Sequence, residues 1–363
     1  MTRNGFFFDA RFIRIDHHDG ISRFSVGLLT ALLQRTEVTA IISDLRQLVK
    51  LPKGCKYLLV NDPTSAREIF LGRTLNRAGA KVVFSPMQTM GAFGRRFRLI
   101  LTLHDLIYYR HPAPPPALSL PIRLLWRLYH MTFWPQRWML NRADAVVTVS
   151  NTTKRLMLKH RLTRKPISVV YNSAGSLSEY YEHRAPEHRP RAAQKLCYMG
   201  SFMGYKNVET LISGMTWLPD YELHLLSKIK PERKAELEAL IPAGAKVVFH
   251  DGVSEAQYHE ELDSSVALVT ASLDEGFGIP LVEAMSRGIP VVVSNIEIFS
   301  EIGGEAALFF EPSSPEGFAA AVKRLERNPD WLDVSKASLK VAERFNWDRS
   351  AAELIGLVDG LTA

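Results

Sequence analysis

Two carboxylates eight positions apart, Glu275 and Glu283, sit in the stretch of this chain best equipped for chemistry, Ala271-Ser-Leu-Asp-Glu-Gly-Phe-Gly-Ile-Pro-Leu-Val-Glu-Ala-Met-Ser-Arg-Gly-Ile-Pro290. The apolar run before it reads as a buried strand, Gly276-Phe277-Gly278 as a turn, and Pro280 as an early position of a helix. Such a helix points its unpaired N–H groups at the end of the strand, a setting that suits an anion. Glu275 falls in the loop and Glu283 about one turn into the helix, so both can face one cleft and accept hydrogen bonds from sugar hydroxyls. The same spacing also fits a solvated Glu283 beside an ordinary glycine turn.

Other residues invite similar weighing. His104 ends an apolar run and precedes Asp105, at the mouth of an expected sheet, where a ligand would lie. A plain strand-end hydrogen bond explains it as well, and Asp105 reads as a capping group rather than a base. Gly20 opens a helix whose apolar positions Ile21, Phe24, Leu28, Leu29 and Leu32 keep a helical period, and a glycine there lets backbone approach a phosphate. Asp16-His17-His18-Asp19 has metal-binding residue types, but four adjacent loop residues do not converge on one ion. No Asp-x-Asp pair is present to hold a divalent ion on a pyrophosphate, so no metal or other cofactor is expected in the chemistry.

The elements that must position these groups alternate along the chain. Strands are expected at Gly5 to Phe8, Val38 to Ile42, Tyr57 to Val60, Lys81 to Ser85, Leu99 to Leu103, Ala145 to Val149 and Ile167 to Val170. The segment Tyr180 to Arg191, charged and carrying two prolines, reads as a linker. A second series follows at Lys195 to Met199, Tyr221 to Leu226, Lys246 to His250, Val266 to Thr270, Pro290 to Ser294 and Leu308 to Phe310, then helices at Pro315 to Arg327, Leu332 to Arg344 and Arg349 to Val358. Strands alternating with helices imply an α/β chain of two doubly wound, Rossmann-like domains. They are expected to face a central cleft.

Length and composition agree. A chain of 363 residues is long for one core at about 150 residues per domain. With 46% hydrophobic and 23% charged residues it is neither disordered nor fibrous. Its two cysteines, Cys55 and Cys197, suggest no disulfide framework and fit a reducing cytoplasm. No signal-like leader and no run of about 18 apolar residues is apparent.

Several blocks resemble the retaining GT-B glycosyltransferases of family 4. The Glu275 to Glu283 spacing is similar to the family's Glu-x7-Glu signature. In matching order come Asp19-Gly-Ile-Ser-Arg-Phe24, Leu103-His-Asp-Leu-Ile107, Ala143-Asp-Ala-Val-Val-Thr-Val-Ser150, Val169-Val-Tyr-Asn172, Tyr198-Met-Gly-Ser-Phe-Met-Gly-Tyr-Lys-Asn207 and Phe345-Asn-Trp-Asp348. The first half looks most like the mannosyltransferase branch. The resemblance implies an acceptor domain over 1–190, completed by a crossover helix over 346–363, and a donor domain over 191–345. It implies that Lys206 binds the donor pyrophosphate, Glu275 the donor sugar and Glu283 the ribose, with the base lying against His250 to Val253. His104, the matching family histidine, would touch the transferred sugar. Gly20, Ser201, Gly276 and the Phe277 and Gly278 backbone complete the donor set. The family's arginine shortly before the lysine is missing, with Ser201 and Tyr205 in that region. Either Arg11 or Arg23 replaces it, or phosphate binding leans on Lys206 and the helix dipole.

The implied partners are a nucleotide-sugar donor, most simply GDP-mannose, and a glycan or lipid-linked acceptor. Alternatives are a UDP-sugar donor and a catalytically silent protein that binds a membrane surface. A dinucleotide oxidoreductase lacks its Gly-x-Gly-x-x-Gly, and no nucleic-acid recognition motif is visible. In Pro121 to Pro135, Ile122, Leu125, Trp126 and Tyr129 are expected on one helix face and Arg123, Arg127 and His130 on another. Such a helix suits an anionic membrane, including attachment at the inner face of the plasma membrane, or packs on its own domain. The net charge of +7 hides an asymmetry: residues 1–190 hold 29 Lys and Arg against 12 Asp and Glu, residues 191–363 hold 16 against 26. The basic half is the one expected to meet the acceptor.

Overall fold

Runs such as Phe6-Phe-Phe-Asp9 and Ala145-Val-Val-Thr148 are apolar without alternation because both their faces are covered, as in a parallel sheet flanked by helices. The structure is a computed structural model and describes residues 5–15, 19–114, 119–174 and 194–362. The chain divides into two units, Met1–Ser173 with Asn346–Ala363, and Ala174–Phe345. The expected linker and the 190/191 boundary lie outside the described residues, as do Asp16, His17 and His18.

The first unit carries β1 (Phe6–Asp9), β2 (Thr39–Ile42), β3 (Tyr57–Leu59), β4 (Val82–Ser85), β5 (Arg98–Leu103), β6 (Ala145–Thr148) and β7 (Ile167–Val169). Their spatial order is β3-β2-β1-β4-β5-β6-β7, with parallel pairing. The order reverses between β1 and β4, and the loops after strands at such a switch point form a ligand crevice. Asp19 caps the Gly20–Leu33 helix by accepting from the Ser22 N–H at 2.8 Å. The Trp347–Thr362 helix packs against it. A Cβ on Gly27 would lie 2.2 Å from Trp347 Cε2, so only glycine admits the indole there. Ser350 Oγ donates to the Tyr171 carbonyl at 2.7 Å and tacks this helix to the end of the first sheet.

The second unit repeats the design with β8 (Gln194–Tyr198), β9 (Tyr221–Leu225), β10 (Lys246–Phe249), β11 (Ala267–Thr270), β12 (Val291–Ser294) and β13 (Leu308–Phe310), ordered β10-β9-β8-β11-β12-β13. Trp331 is fully buried and donates its indole N–H to the Val266 carbonyl at 2.8 Å. That bond helps draw the expected Leu332 to Arg344 helix back to Asn328–Ala342. The Pro315 helix stops at Lys323, short of Arg327, and the last helix is longer than its pattern predicts.

The Pro121 to Pro135 segment departs from expectation. The helix spans Leu120–His130, and a second begins at Trp134. Its inner side is made by Trp126, edge-on to Tyr108 at 4.8 Å, and by His130, 4.4 Å from Trp126. Ile122 and Leu125, expected beside Trp126, are half or more exposed, and so are Leu120, Leu124, Leu128 and Met131. His130 therefore packs inward while most of the aliphatic side chains face out. Arg123 is half-buried and Arg127 exposed. No helix among the described residues is long and apolar enough to cross a membrane.

Candidate active site

Parallel strands deliver loops to one edge of each sheet, and in the second unit the central pair, β8 and β11, delivers the two richest ones. After β8 the chain makes a tight turn, Gly204–Lys206, followed by Asn207 at φ 52°. The Asn207 side chain donates to the Ala271 and Pro312 carbonyls at 3.1 and 2.7 Å. Leu273 N–H donates to the Tyr205 carbonyl at 2.7 Å. These bonds lash the β8 and β11 loops together and bring Lys206 against Glu275, residues 69 positions apart.

The Lys206–Glu275 ion pair is shielded, with side-chain exposures of 14% and 15%. Ser272 Oγ also donates to Glu275 Oε1 at 3.0 Å, and the Lys206 ammonium lies 5.3 Å from the Tyr205 ring centre. Arg233, which belongs to no motif, donates from Nε to the Phe202 carbonyl at 3.1 Å and pairs with Glu209 and Glu236. It braces the loop that carries Ser201 and Lys206. Ser201 itself is exposed, and its carbonyl accepts from Tyr198 OH at 2.6 Å.

Past Glu275, Gly276 and Phe277 are buried and Gly278 takes φ 89° to start the Ile279–Ser286 helix. A Cβ on Gly278 would sit 3.1 Å from Phe299 Cε1, so conformation and space both call for glycine. The solvated alternative for Glu283 fails. Glu283 is only 8% exposed and accepts from Tyr258 OH at 2.9 Å. Tyr258 has no motif signal; it reaches Glu283 because the Glu255–Asp263 helix, started by a Ser254 capping box, packs its aromatic inward.

His250 and Val253 follow β10 and are half-buried. The His250 ring turns to His224, Nε2 to Nδ1 at 3.0 Å. Lys228, in the loop after β9, is an exposed cation at the same edge of the sheet.

In the first unit His104 follows β5. Its Nε2–H donates to the Pro86 carbonyl at 2.7 Å and its ring meets Phe24 edge-on at 5.3 Å. Burial pushes its pKa below the usual histidine value, so the ring is neutral near pH 7 with its Nδ1 lone pair uncommitted to Pro86. Asp105 accepts from the Ile107 N–H at 3.0 Å, a capping contact. Gly20 is exposed at the first turn of its helix.

The structure corrects one expectation about phosphate binding. Arg11 is buried and committed on both sides, to Asp9 through Nε at 2.7 Å and Nη2 at 2.9 Å, and to Glu68 through Nη1 at 2.7 Å. It has no donor free to clamp a phosphate. The basic run Arg95 to Arg98 is likewise partly neutralised, since Arg95 and Arg98 both pair with Asp144.

A cation, two carboxylates and a helix start at one sheet edge can hold an anion beside hydroxyl groups. Residues 20–174 match the family described as Glycosyltransferase Family 4, and residues 180–343 match Glycosyl transferases group 1. O-antigen chain mannosyltransferase RfbU of Salmonella typhimurium is 30% identical over 212 residues, which cover 57% of this chain and 57% of that protein. O-antigen chain mannosyltransferase B of Escherichia coli is 24% identical over 275 residues, covering 71% of this chain and 69% of that one. The matched stretch thus spans little more than half the length of the Salmonella protein. A crystal structure of Anabaena HepE in complex with UDP and glucose has a TM-score of 0.72 at 15% identity, covering 98% of this chain and 99% of that one.

Proposed function

This chain belongs to the GT-B glycosyltransferases, a family 4 domain followed by a group 1 domain, and from that premise we propose that it transfers mannose from GDP-mannose to a glycan or lipid-linked acceptor with retention of configuration. The observation that carries this reading is the shielded Lys206–Glu275 pair beside the Gly278 helix start. The mannose assignment draws on the two O-antigen relatives, both described as mannosyltransferases.

In this reading the donor pyrophosphate takes over Lys206, and Glu275, released from it, accepts hydrogen bonds from mannose hydroxyls. Glu283, held by Tyr258, accepts from the ribose. The C1–O bond of the donor breaks and its electron pair goes to a phosphate oxygen. A fixed ammonium there stabilises the transition state more than the ground state, because the charge on that oxygen grows as the bond opens. The acceptor oxygen bonds to C1 on the face the phosphate leaves, and the departing oxygen takes the acceptor's proton. No protein nucleophile and no metal is called for. Neutral His104 serves as a contact to the transferred sugar, and Lys228 supplies the second cation in place of the missing arginine.

The acceptor side has its own support. The helix Leu120–His130 exposes Leu120, Leu124, Leu125, Leu128 and Met131, a larger apolar patch than scattered surface residues account for. With Arg127 beside it, the patch suits an anionic membrane at the cytoplasmic face, where a lipid-linked acceptor is presented. Replacing Leu124 and Leu128 together by glutamate is expected to abolish flotation with anionic vesicles and to leave nucleotide binding intact. Undiminished flotation of the variant would remove this helix from the proposal.

A thermal-shift series with GDP, UDP and ADP tests the donor, since a ligand stabilises the fold that binds it by mass action. GDP is expected to raise Tm most, and labelled mannose is expected to pass from GDP-mannose to acceptor extract. A larger shift with UDP points to a UDP-sugar. No shift with any nucleotide, together with vesicle binding, points to a silent surface protein.

A further inference from the structure

A cluster of ionisable side chains in the second unit includes none of the residues of the Lys206 and Glu275 loops. His224 lies on β9 and is buried, His250 follows β10, and Glu261 lies on the Glu255–Asp263 helix. One ligand atom from each lies within 4.8 Å of the other two. His224 Nδ1 is 3.0 Å from His250 Nε2 and 3.4 Å from Glu261 Oε2. Zinc binds imidazole nitrogen and carboxylate oxygen at about 2.0–2.2 Å in a tetrahedron, which puts neighbouring ligand atoms about 3.3 Å apart. Two of the three edges therefore already match a zinc tetrahedron, and the third, between His250 and Glu261, is no longer than 4.8 Å.

The surroundings fit as well. Glu222 Oε2 lies 3.5 Å from His224 Nε2, on the opposite side of that ring. A carboxylate there holds a proton on Nε2, orients the imidazole and leaves Nδ1 as the donor to a metal. Two imidazoles and one carboxylate favour a borderline ion such as Zn2+ over Mg2+, which prefers oxygen and water. Against this, Lys195 Nζ donates to Glu261 Oε2 at 2.8 Å and to Ser264 Oγ at 3.1 Å. An ammonium beside a ligand oxygen weakens cation binding without blocking it, since a carboxylate offers about four lone-pair sites.

We propose that His224, His250 and Glu261 form a three-ligand site for Zn2+, with its fourth position open to water. Binding replaces the hydrogen bond between the rings: the proton on His250 Nε2 moves through solvent to its Nδ1, with no net proton released. The ion joins β9 to the end of the edge strand β10 and to the neighbouring helix, and so fixes the turn that begins at His250. His250 also opens the turn expected to lie against the base, but the ligand set uses no residue of the Lys206 and Glu275 loops and stands whether or not the chain transfers mannose.

The test uses the full, tag-free chain stripped with a chelator. Zn2+ is titrated in competition with a chromophoric chelator, and Co2+ is followed by visible absorption. One Zn2+ per chain is expected, with Mg2+ failing to compete, and bound Co2+ is expected to show the intense bands of a low-coordinate site. His250→Gln and Glu261→Gln should each weaken Zn2+ at least about tenfold, whereas Lys195→Gln, which removes the competing ammonium, should tighten it. Absence of stoichiometric binding, unchanged affinity in His250→Gln, or a faint six-coordinate Co2+ spectrum each overturns the proposal. Should the variants misfold, the Co2+ spectrum and stoichiometry of the unaltered chain decide alone.

Discussion

Lys206→Ala is expected to lower the transfer rate by about 10²- to 10³-fold, the scale on which removing one preorganised charge-stabilising donor acts. In the proposed mechanism most of the loss should fall on kcat, because the ammonium would meet its greatest demand when the C1–O bond is breaking. Nucleotide affinity should fall less. The fold should survive, since the lysine side chain is held at a loop by an ion pair and the neighbouring Tyr205 ring while Asn207 and Arg233 brace the backbone. The measurement is steady-state transfer from GDP-mannose with Tm read in parallel. A variant that folds normally and keeps full activity would sink the mechanism. Glu275→Gln offers a second view: it frees Lys206 but removes the carboxylate proposed to hold sugar hydroxyls, so its loss should change with the sugar more than with the nucleotide.

Arg11→Met should cost the first unit about 3–5 kcal/mol, the penalty for leaving a buried charge without its partner. The Asp9 and Arg11 side chains are both fully enclosed, and Glu68 lies on Arg11's other side. Removing the guanidinium strands the Asp9 carboxylate under the sheet edge. Asp9→Asn added to Arg11→Met should recover part of the loss, because a neutral amide carries less desolvation penalty than a carboxylate. Urea unfolding measures both. Unchanged stability together with weaker GDP binding would instead make Arg11 a phosphate ligand.

What could be read from residues alone follows from which interactions are local. Strands such as Val291–Ser294 announce themselves because burial on both faces demands an unbroken apolar run. Glu275 and Lys206 each stood out as residue types in their blocks, but their contact comes from the adjacency of β8 and β11, which no spacing encodes. Tyr258 was invisible for the same reason: only the packing of its helix brings it to Glu283. By its sequence Arg11 reads as a spare cation, yet Glu68, 57 positions away, claims it. The Leu120–His130 helix failed differently. Its pattern assumes that the apolar face turns inward, and here aromatic rings and His130 take the inner side while leucines take the outer one.

The Trp347 indole seated over Gly27 has a consequence in time. The first unit is interrupted: the helix that covers Gly20–Leu33 is specified after the whole of residues 174–345. At a synthesis rate of about 5–20 residues per second, that intervening stretch occupies the ribosome for roughly 9 to 34 seconds. Throughout that interval the second unit is continuous and free to fold as it emerges, while the first waits with the groove at Gly27 uncovered. The last unit to be completed is thus the first to be started, and its unfinished face is the one most in need of a chaperone.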